Sequence, residues 1–189
     1  EPGTNPGFLF QQNTLRDALI AGISFNIFNS HCDRVQMANI AQTINVLQAI
    51  IHTEDEKMLL TPTYHIFDMY KVHQDAELLD VQVKNTMYKY GKEEIPQLSI
   101  SSSLDQDGKI HISMCNLDPN EKLEVVCELR GTNKTQVSGT ILTATEMNAM
   151  NTFDTPNKVA PALFDSAKIA DNKLTVSLPA KSVVVLEVC

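Results

Sequence analysis

Leu98-Ser99-Ile100-Ser101-Ser102-Ser103-Leu104-Asp105-Gln106-Asp107-Gly108-Lys109-Ile110-His111-Ile112-Ser113-Met114-Cys115-Asn116 alternates apolar and polar residues on both sides of a single Asp-Gly step. Successive side chains of an extended chain point to opposite faces, so a period of two marks strands and not a helix. Asp107-Gly108 is a strong hairpin-turn signal, because glycine adopts positive φ without steric cost. The stretch predicts an antiparallel hairpin with strands over Leu98–Leu104 and Lys109–Asn116. Asp105-Gln106-Asp107-Gly108 also opens like a calcium loop, but the bidentate glutamate required at the twelfth position is replaced by Asn116. The turn reading is kept, and no metal is expected.

The pattern continues outward. Asp118-Pro119-Asn120 turns the chain into Leu123–Arg130, and Val137–Ala144, Leu174–Leu178 and Ser182–Val188 follow. Upstream, Val81-Gln82-Val83 alternates as well. Short strands separated by turns predict a mainly β chain built on an antiparallel, jelly-roll-like β-sandwich. The same alternation tests a disulfide. Leu123, Val125, Cys127 and Leu129 share one apolar face, whereas Cys115 lies with His111 and Ser113, opposite Ile110, Ile112 and Met114. Cys115 and Cys127 are therefore predicted not to bond.

Ahead of about residue 75 the character changes. Thr14-Leu15-Arg16-Asp17 reads as a capping box, and Leu15, Ala18, Leu19, Gly22, Ile23 and Ile27 recur at helical spacing to about Asn29. Val35-Gln36-Met37-Ala38 is a short strand candidate. Thr61-Pro62 starts a second helix to about His73, with proline at the first helical position. Helix, strand, loop and helix form an α/β N-terminal part that is not a closed unit.

Composition limits the function classes. The 189 residues are 43% hydrophobic and 20% charged, which supports a packed core and excludes disorder. No apolar run approaches the roughly 18 residues of a membrane helix. A net charge of −8, with basic residues scattered singly, argues against nucleic acid as a partner. Cys32, Cys115, Cys127 and Cys189 form no Cys-x-x-Cys pair and have no histidine at zinc spacing, so they read as structural thiols. Asn133-Lys134-Thr135 matches a glycosylation sequon that carries little weight. A secreted or periplasmic compartment is slightly preferred to the cytoplasm. The chain opens on Glu1 and not on methionine, which reads as a piece of something longer.

Few residues suggest chemistry. Glu54-Asp55-Glu56 and Glu93-Glu94 are paired acids, but they lie among lysines and turn residues and read as solvated loops. His52, His65 and His73 have no serine or cysteine elbow beside them, and Walker and dinucleotide glycine patterns are absent. Met37-Ala38-Asn39-Ile40-Ala41-Gln42-Thr43-Ile44-Asn45 is different. Its amides sit just beyond a short hydrophobic strand, where a β/α barrel carries its active site. Amides donate to and accept from sugar hydroxyls, so Asn39 and Gln42 are substrate-binding candidates. The alternative is that they only satisfy backbone groups of their own loop.

At this stretch a resemblance enters. Asn5-Pro6-Gly7-Phe8-Leu9-Phe10-Gln11-Gln12-Asn13-Thr14-Leu15-Arg16-Asp17-Ala18-Leu19 resembles the segment after the nucleophile strand in α-L-arabinofuranosidases of glycoside hydrolase family 51. His31-Cys32-Asp33-Arg34-Val35 through Asn39-Ile40-Ala41-Gln42-Thr43-Ile44-Asn45-Val46 resembles that family's last barrel strand and following loop. Thr61-Pro62-Thr63-Tyr64-His65, with Met69-Tyr70 and His73-Gln74, resembles its final barrel helix. The likeness is dense over residues 1–75; from 76 to 189 it rests on strand pattern.

The resemblance implies the closing helix-strand-helix elements of a (β/α)8 barrel over 1–75 and a C-terminal β-sandwich over 76–189. It implies a retaining glycosidase that removes terminal non-reducing α-L-arabinofuranosyl groups from arabinan, arabinoxylan or arabino-oligosaccharides, with no cofactor. Such a reaction uses an acid and a nucleophilic carboxylate about 5 Å apart. The family's two glutamates have no counterpart in this chain, and Glu1 lies past the nucleophile position. No catalytic residue is therefore assigned, and the chain alone is expected to be inactive. Gln42 matches the glutamine that contacts arabinose, and Asn39 is the weaker candidate. The partners implied are an arabinose-containing saccharide and the missing N-terminal part of the same protein. Uncovered apolar faces also suggest a homo-oligomer. The competing reading is a non-catalytic carbohydrate-binding or structural sandwich, weakened because the chain has no tryptophan for stacking on sugars.

Overall fold

The computed structural model describes residues 13–189. Glu1 and the Asn5–Gln12 part of the resemblance lie outside the described residues. Helix α1 (Leu15–Ser30) is followed by a long irregular segment and the hairpin β1 (Ile51–Glu54) and β2 (Lys57–Leu60). Helix α2 (Pro62–Tyr70) comes next, and a 3-10 turn over Lys71–His73 extends it. The remaining strands are β3 (Glu77–Leu79), β4 (Met87–Tyr90), β5 (Glu93–Pro96), β6 (Leu98–Leu104), β7 (Ile110–Asn116), β8 (Leu123–Glu128), β9 (Val137–Leu142), β10 (Ala162–Phe164), β11 (Ala167–Ala170), β12 (Lys173–Leu178) and β13 (Ser182–Val188).

They form an antiparallel six-stranded sheet in the order β10-β9-β13-β7-β6-β3, faced by a three-stranded sheet β11-β12-β8. The predicted hairpin is present, with Leu98 opposite Asn116 and Leu104 opposite Ile110. Asp105 shapes its turn, accepting from the N–H groups of Asp107 and Lys109 at 3.0 and 2.8 Å, and Gly108 takes φ +75°.

Every residue of β7 is buried, so the centre of the large sheet is covered on both faces. Ile112 and Met114 point between the sheets, where they meet Leu174, Val176, Val184 and Leu186. Cys115 points the other way, into a second core with Leu15, Leu19, Ile66 and Tyr70 from the helices and Val183 and Val185 from β13. Each large aliphatic side chain buried in this way contributes about 1.5–3 kcal/mol. Cys115 and Cys127 are both free and serve different cores, as the alternation required. Gly22 lets α1 approach the sheet, since a Cβ there would stand 2.8 Å from the Cys115 sulfur.

The predicted capping box opens α1, whereas Thr61 at the start of α2 makes no side-chain cap. The Thr14 hydroxyl donates to the Asp17 carboxylate at 2.9 Å, and that carboxylate also accepts from the Thr14 N–H at 2.8 Å. Thr61 sends both its N–H and its hydroxyl to the Ile50 carbonyl, tying α2 to the chain before β1.

Two strand expectations are corrected. Val35–Ala38 runs as irregular chain, with Met37 78% exposed, because no other described segment offers it a ladder partner. Val81–Val83 is likewise outside any ladder, and the pairing falls earlier, with Leu78 opposite Ser103. The Glu54-Asp55-Glu56 run is not wholly a loop either. Glu54 closes β1 opposite Lys57, and Asp55 turns the hairpin at φ +52°. Glu93 and Glu94 lie in β5, exposed and paired with β4.

Candidate functional site

The segment between α1 and β1 carries the two candidate amides. Asn39 and Gln42 are exposed and line one open groove of about 280 Å³ between that segment, α1 and the start of α2. Its floor includes Phe25, Phe28 and Phe67, with Phe25 and Phe67 packed edge to face at 4.8 Å. Asn13, Asp17 and Thr63 add polar groups to the wall. An apolar floor with a few convergent amides and a carboxylate suits a hydroxyl-rich small molecule that presents one less polar face.

Backbone bonds and two other asparagines hold the loop, not Asn39. The Ile50 and Ile51 N–H groups donate to the carbonyls of Gln42 and Thr43 at 3.1 and 3.0 Å, and Ile44 forms an isolated parallel bridge with Ile51. Asn45 accepts from the Thr53 N–H and donates to its hydroxyl, both at 2.8 Å. Asn13, buried at the foot of α1, donates to the carbonyls of Gln48 and Ala49. Asn45 and Gln48 take φ of +52° and +60°, a region that side chains beyond glycine enter at a cost. The Gln42 side chain is thus left facing the groove while its backbone is pinned.

Sequence reasoning passed over Asn13 and Asn45. The available signal was the preference of asparagine for left-handed turns and for backbone contacts, which fits Asn45. Nothing local marks Asn13, whose partners lie 35 and 36 residues away.

The histidines flagged earlier lie elsewhere. His52 sits in β1 and His65 in α2, each with an unpartnered buried Nε2, and burial lowers both pKa values. His73 bridges the 3-10 turn to the large sheet, with ring nitrogens 2.7 Å from the Ser103 hydroxyl and 2.6 Å from that of Ser113. Burial, and secondarily His111, pushes its pKa down to about 4. His111 meets the Asp105 carboxylate at 2.8 Å, and that contact holds the Asp105 pKa below its ordinary value. Burial raises the Cys115 thiol pKa to about 12, so it is a packed group without nucleophilic character. Among the described residues no three of His, Cys, Asp and Glu gather as metal ligands.

The family pattern described as Alpha-L-arabinofuranosidase C-terminal domain matches residues 1–182. An intracellular exo-α-L-arabinofuranosidase of Bacteroides ovatus is 47% identical over 188 residues, covering 99% of this chain and 37% of the relative. An intracellular exo-α-(1→5)-L-arabinofuranosidase of Streptomyces lividans is 25% identical over 177 residues, covering 92% of this chain and 26% of the relative. Among solved structures, the family 51 arabinofuranosidase of Xanthomonas axonopodis pv. citri superimposes with a TM-score of 0.94 at 45% identity, covering all of this chain and 38% of that one. The thermostable family 51 α-L-arabinofuranosidase of Thermotoga petrophila gives 0.81 at 26% identity, over 96% of this chain and 40% of its own. The chain spans well under half the length of these relatives.

Proposed function

The chain belongs to the family of α-L-arabinofuranosidase C-terminal domains, and from that premise we propose that it works within a retaining exo-α-L-arabinofuranosidase. The substrate class is the terminal non-reducing α-L-arabinofuranosyl group of arabinan, arabinoxylan or arabino-oligosaccharides. In this reading residues 1–75 complete a barrel and residues 76–189 form the sandwich that buttresses it. The carboxylates that cleave the bond are supplied by the rest of the polypeptide, the principal partner.

The observation that carries the reading is the placement of Gln42. It is exposed on a pinned loop, beside Asn39 and over an aromatic floor, in a chain 47% identical to a named arabinofuranosidase. Gln42 binds the sugar by accepting from one hydroxyl and donating to another. Asn39 shapes the groove wall and contributes less. Exposed apolar side chains on α1 support a missing partner: Ile20, at the rim of the same groove, and Ile27 are 54% and 51% exposed. Met37, Ile44, Val46 and Leu47 extend the exposed apolar surface along the loop. Without the rest of the polypeptide, that surface drives self-association.

The test has two arms. The isolated chain is assayed on an aryl α-L-arabinofuranoside, where no turnover is expected; turnover abolished by replacing a carboxylate of this chain sinks the proposal. In the complete enzyme, Gln42→Ala is expected to lower kcat/KM about a hundredfold, in line with a lost transition-state hydrogen bond. An unchanged value removes Gln42 from the site.

A further inference from the structure

Besides its bonds to the Ile50–Thr53 stretch, the Gln42 loop is gripped from behind by Asn13. Asn13 is 5% exposed, and its Nδ2 donates to two successive carbonyls, Gln48 at 2.9 Å and Ala49 at 3.2 Å. The next residue, Ile50, sends its N–H to the carbonyl of Gln42 itself at 3.1 Å. Asn13 therefore reaches Gln42 through one short backbone path, and both residues line the same groove.

The path needs an external anchor because it is strained. Gln48 holds φ +60°, a left-handed conformation that sterics disfavour for a residue with a Cβ. Left unanchored, that turn relaxes toward ordinary φ and pulls on the Ile50 N–H, although the Ile50 carbonyl stays tied to Thr61. Asn13 is itself fixed, since its neighbours open α1: the Thr14 N–H is held by Asp17, and the Leu15 N–H donates to the Ala149 carbonyl at 2.9 Å. The loop is thus referenced to the helix and, through Ala149, to the core that the helix shares with the large sheet. Loss of the two donors also leaves two carbonyls short of partners, one of them against fully buried Ala49.

We propose that Asn13 is a positioning residue for the sugar-contacting amide of Gln42, setting its height in the groove by clamping the Gln48–Ala49 turn. This rests on the reading of Gln42 given above. A displacement of about 1 Å is enough to cost a large factor in rate, so a residue that never touches the sugar affects the transition state.

The experiment uses the complete enzyme with Asn13→Ala, Asn13→Asp, Gln42→Ala and the two double variants. Asn13→Asp preserves size and replaces the donor by a carboxylate facing carbonyls, which guards against a cavity effect in the alanine variant. On an aryl α-L-arabinofuranoside each single Asn13 variant is expected to lose about tenfold in kcat/KM, mostly in kcat. Added to Gln42→Ala, the same change is expected to cost less than about twofold, because the group it positions is gone. Equal losses in both backgrounds overturn the proposal, since Asn13 then acts independently of Gln42. Amide exchange supplies a readout that needs no activity. Ile50 and Ile51 are expected to exchange faster in both Asn13 variants, while Val184–Leu186 in the sheet stay protected. Unchanged exchange at Ile50 also overturns it. A wild-type enzyme inert on arabinofuranosides fails the functional reading alone, and the exchange at Ile50 still decides whether Asn13 holds the loop.

Discussion

The two faces of the six-stranded sheet are built from the same strands by different chemistry. Toward the small sheet, β7 and β13 present Ile110, Ile112, Met114, Val184, Leu186 and Val188, an aliphatic surface closed by Leu174, Val176 and Leu178. Toward the helices, β6 and β7 present Ser101, Ser103, His111, Ser113 and Cys115, all buried. Here the polar groups are matched in pairs. Asn26 on α1 accepts from Ser101 at 2.8 Å and from Tyr70 at 3.2 Å, and donates to Ser99 at 3.1 Å. Asn29 donates to Ser101, and His73 joins Ser103 to Ser113. An aliphatic face tolerates any complementary layer of the right volume, whereas a hydrogen-bonded face accepts one helix position.

The largest effect is expected on the aliphatic face. Leu186 is fully buried, and its truncation leaves a cavity between two sheets that have little freedom to collapse. Leu186→Ala is expected to cost about 3–4 kcal/mol in urea unfolding, without altering the contacts of α1. A loss below about 1 kcal/mol would mean that the sandwich core is looser than its burial indicates.

Acidification probes the polar face selectively. The pKa of His73 is held at about 4, below the 6.5 of a free ring, so the unfolded chain takes up the proton first as pH falls. The stability that His73 provides is therefore present above about pH 6.5 and is lost progressively toward pH 4. A difference of this size corresponds to at most about 3 kcal/mol. His52 and His65 are also lowered by burial and add to the same slope, so the informative quantity is wild type minus His73→Gln. That difference should shrink as pH drops from 7 to 4; a constant difference would remove His73 from the titration.

Gly22→Ala probes the same helix-facing layer. The added methyl group would meet the Cys115 sulfur at 2.8 Å and the Tyr70 hydroxyl at 3.3 Å, within the layer where hydrogen-bonded groups resist displacement. The expected cost is about 2 kcal/mol by thermal unfolding. A neutral outcome would show that α1 slides on the sheet, contrary to the single position argued above.

The two faces were also unequally legible. Alternation located β6 and β7 and separated Cys115 from Cys127, because a buried aliphatic face opposite a polar one leaves a period-two record, whereas β13 is an unbroken apolar run buried on both faces. The opposite face leaves the same record whether water or a helix covers it, so Ser101, Ser103 and Ser113 read no differently from solvent-facing serines. Val35–Ala38 misled for the complementary reason: hydrophobic residues were present but no ladder partner was among the described segments. At the candidate site, the residue types of Asn39 and Gln42 were visible in their loop. The supports from Asn13 were not, since no local pattern encodes a contact across 35 residues.

The finest test compares neighbours. Ser101 and Ser102 are adjacent, both buried, and point to opposite faces of β6. Ser101 donates to Asn26 and accepts from Asn29, so alanine there leaves two helix amides short of partners between α1 and the sheet. Ser102 donates to the Leu79 carbonyl at 3.1 Å at the mouth of a groove between the sheets, where water is able to replace the hydroxyl. Ser101→Ala is expected to cost about 1–2 kcal/mol and Ser102→Ala about 0.5 kcal/mol or less. The substitution is chemically identical at both positions, so the difference of about 1 kcal/mol measures what the helix layer adds to one face. Equal costs would mean that the polar contacts under α1 specify where the helix sits without contributing to how firmly it is held.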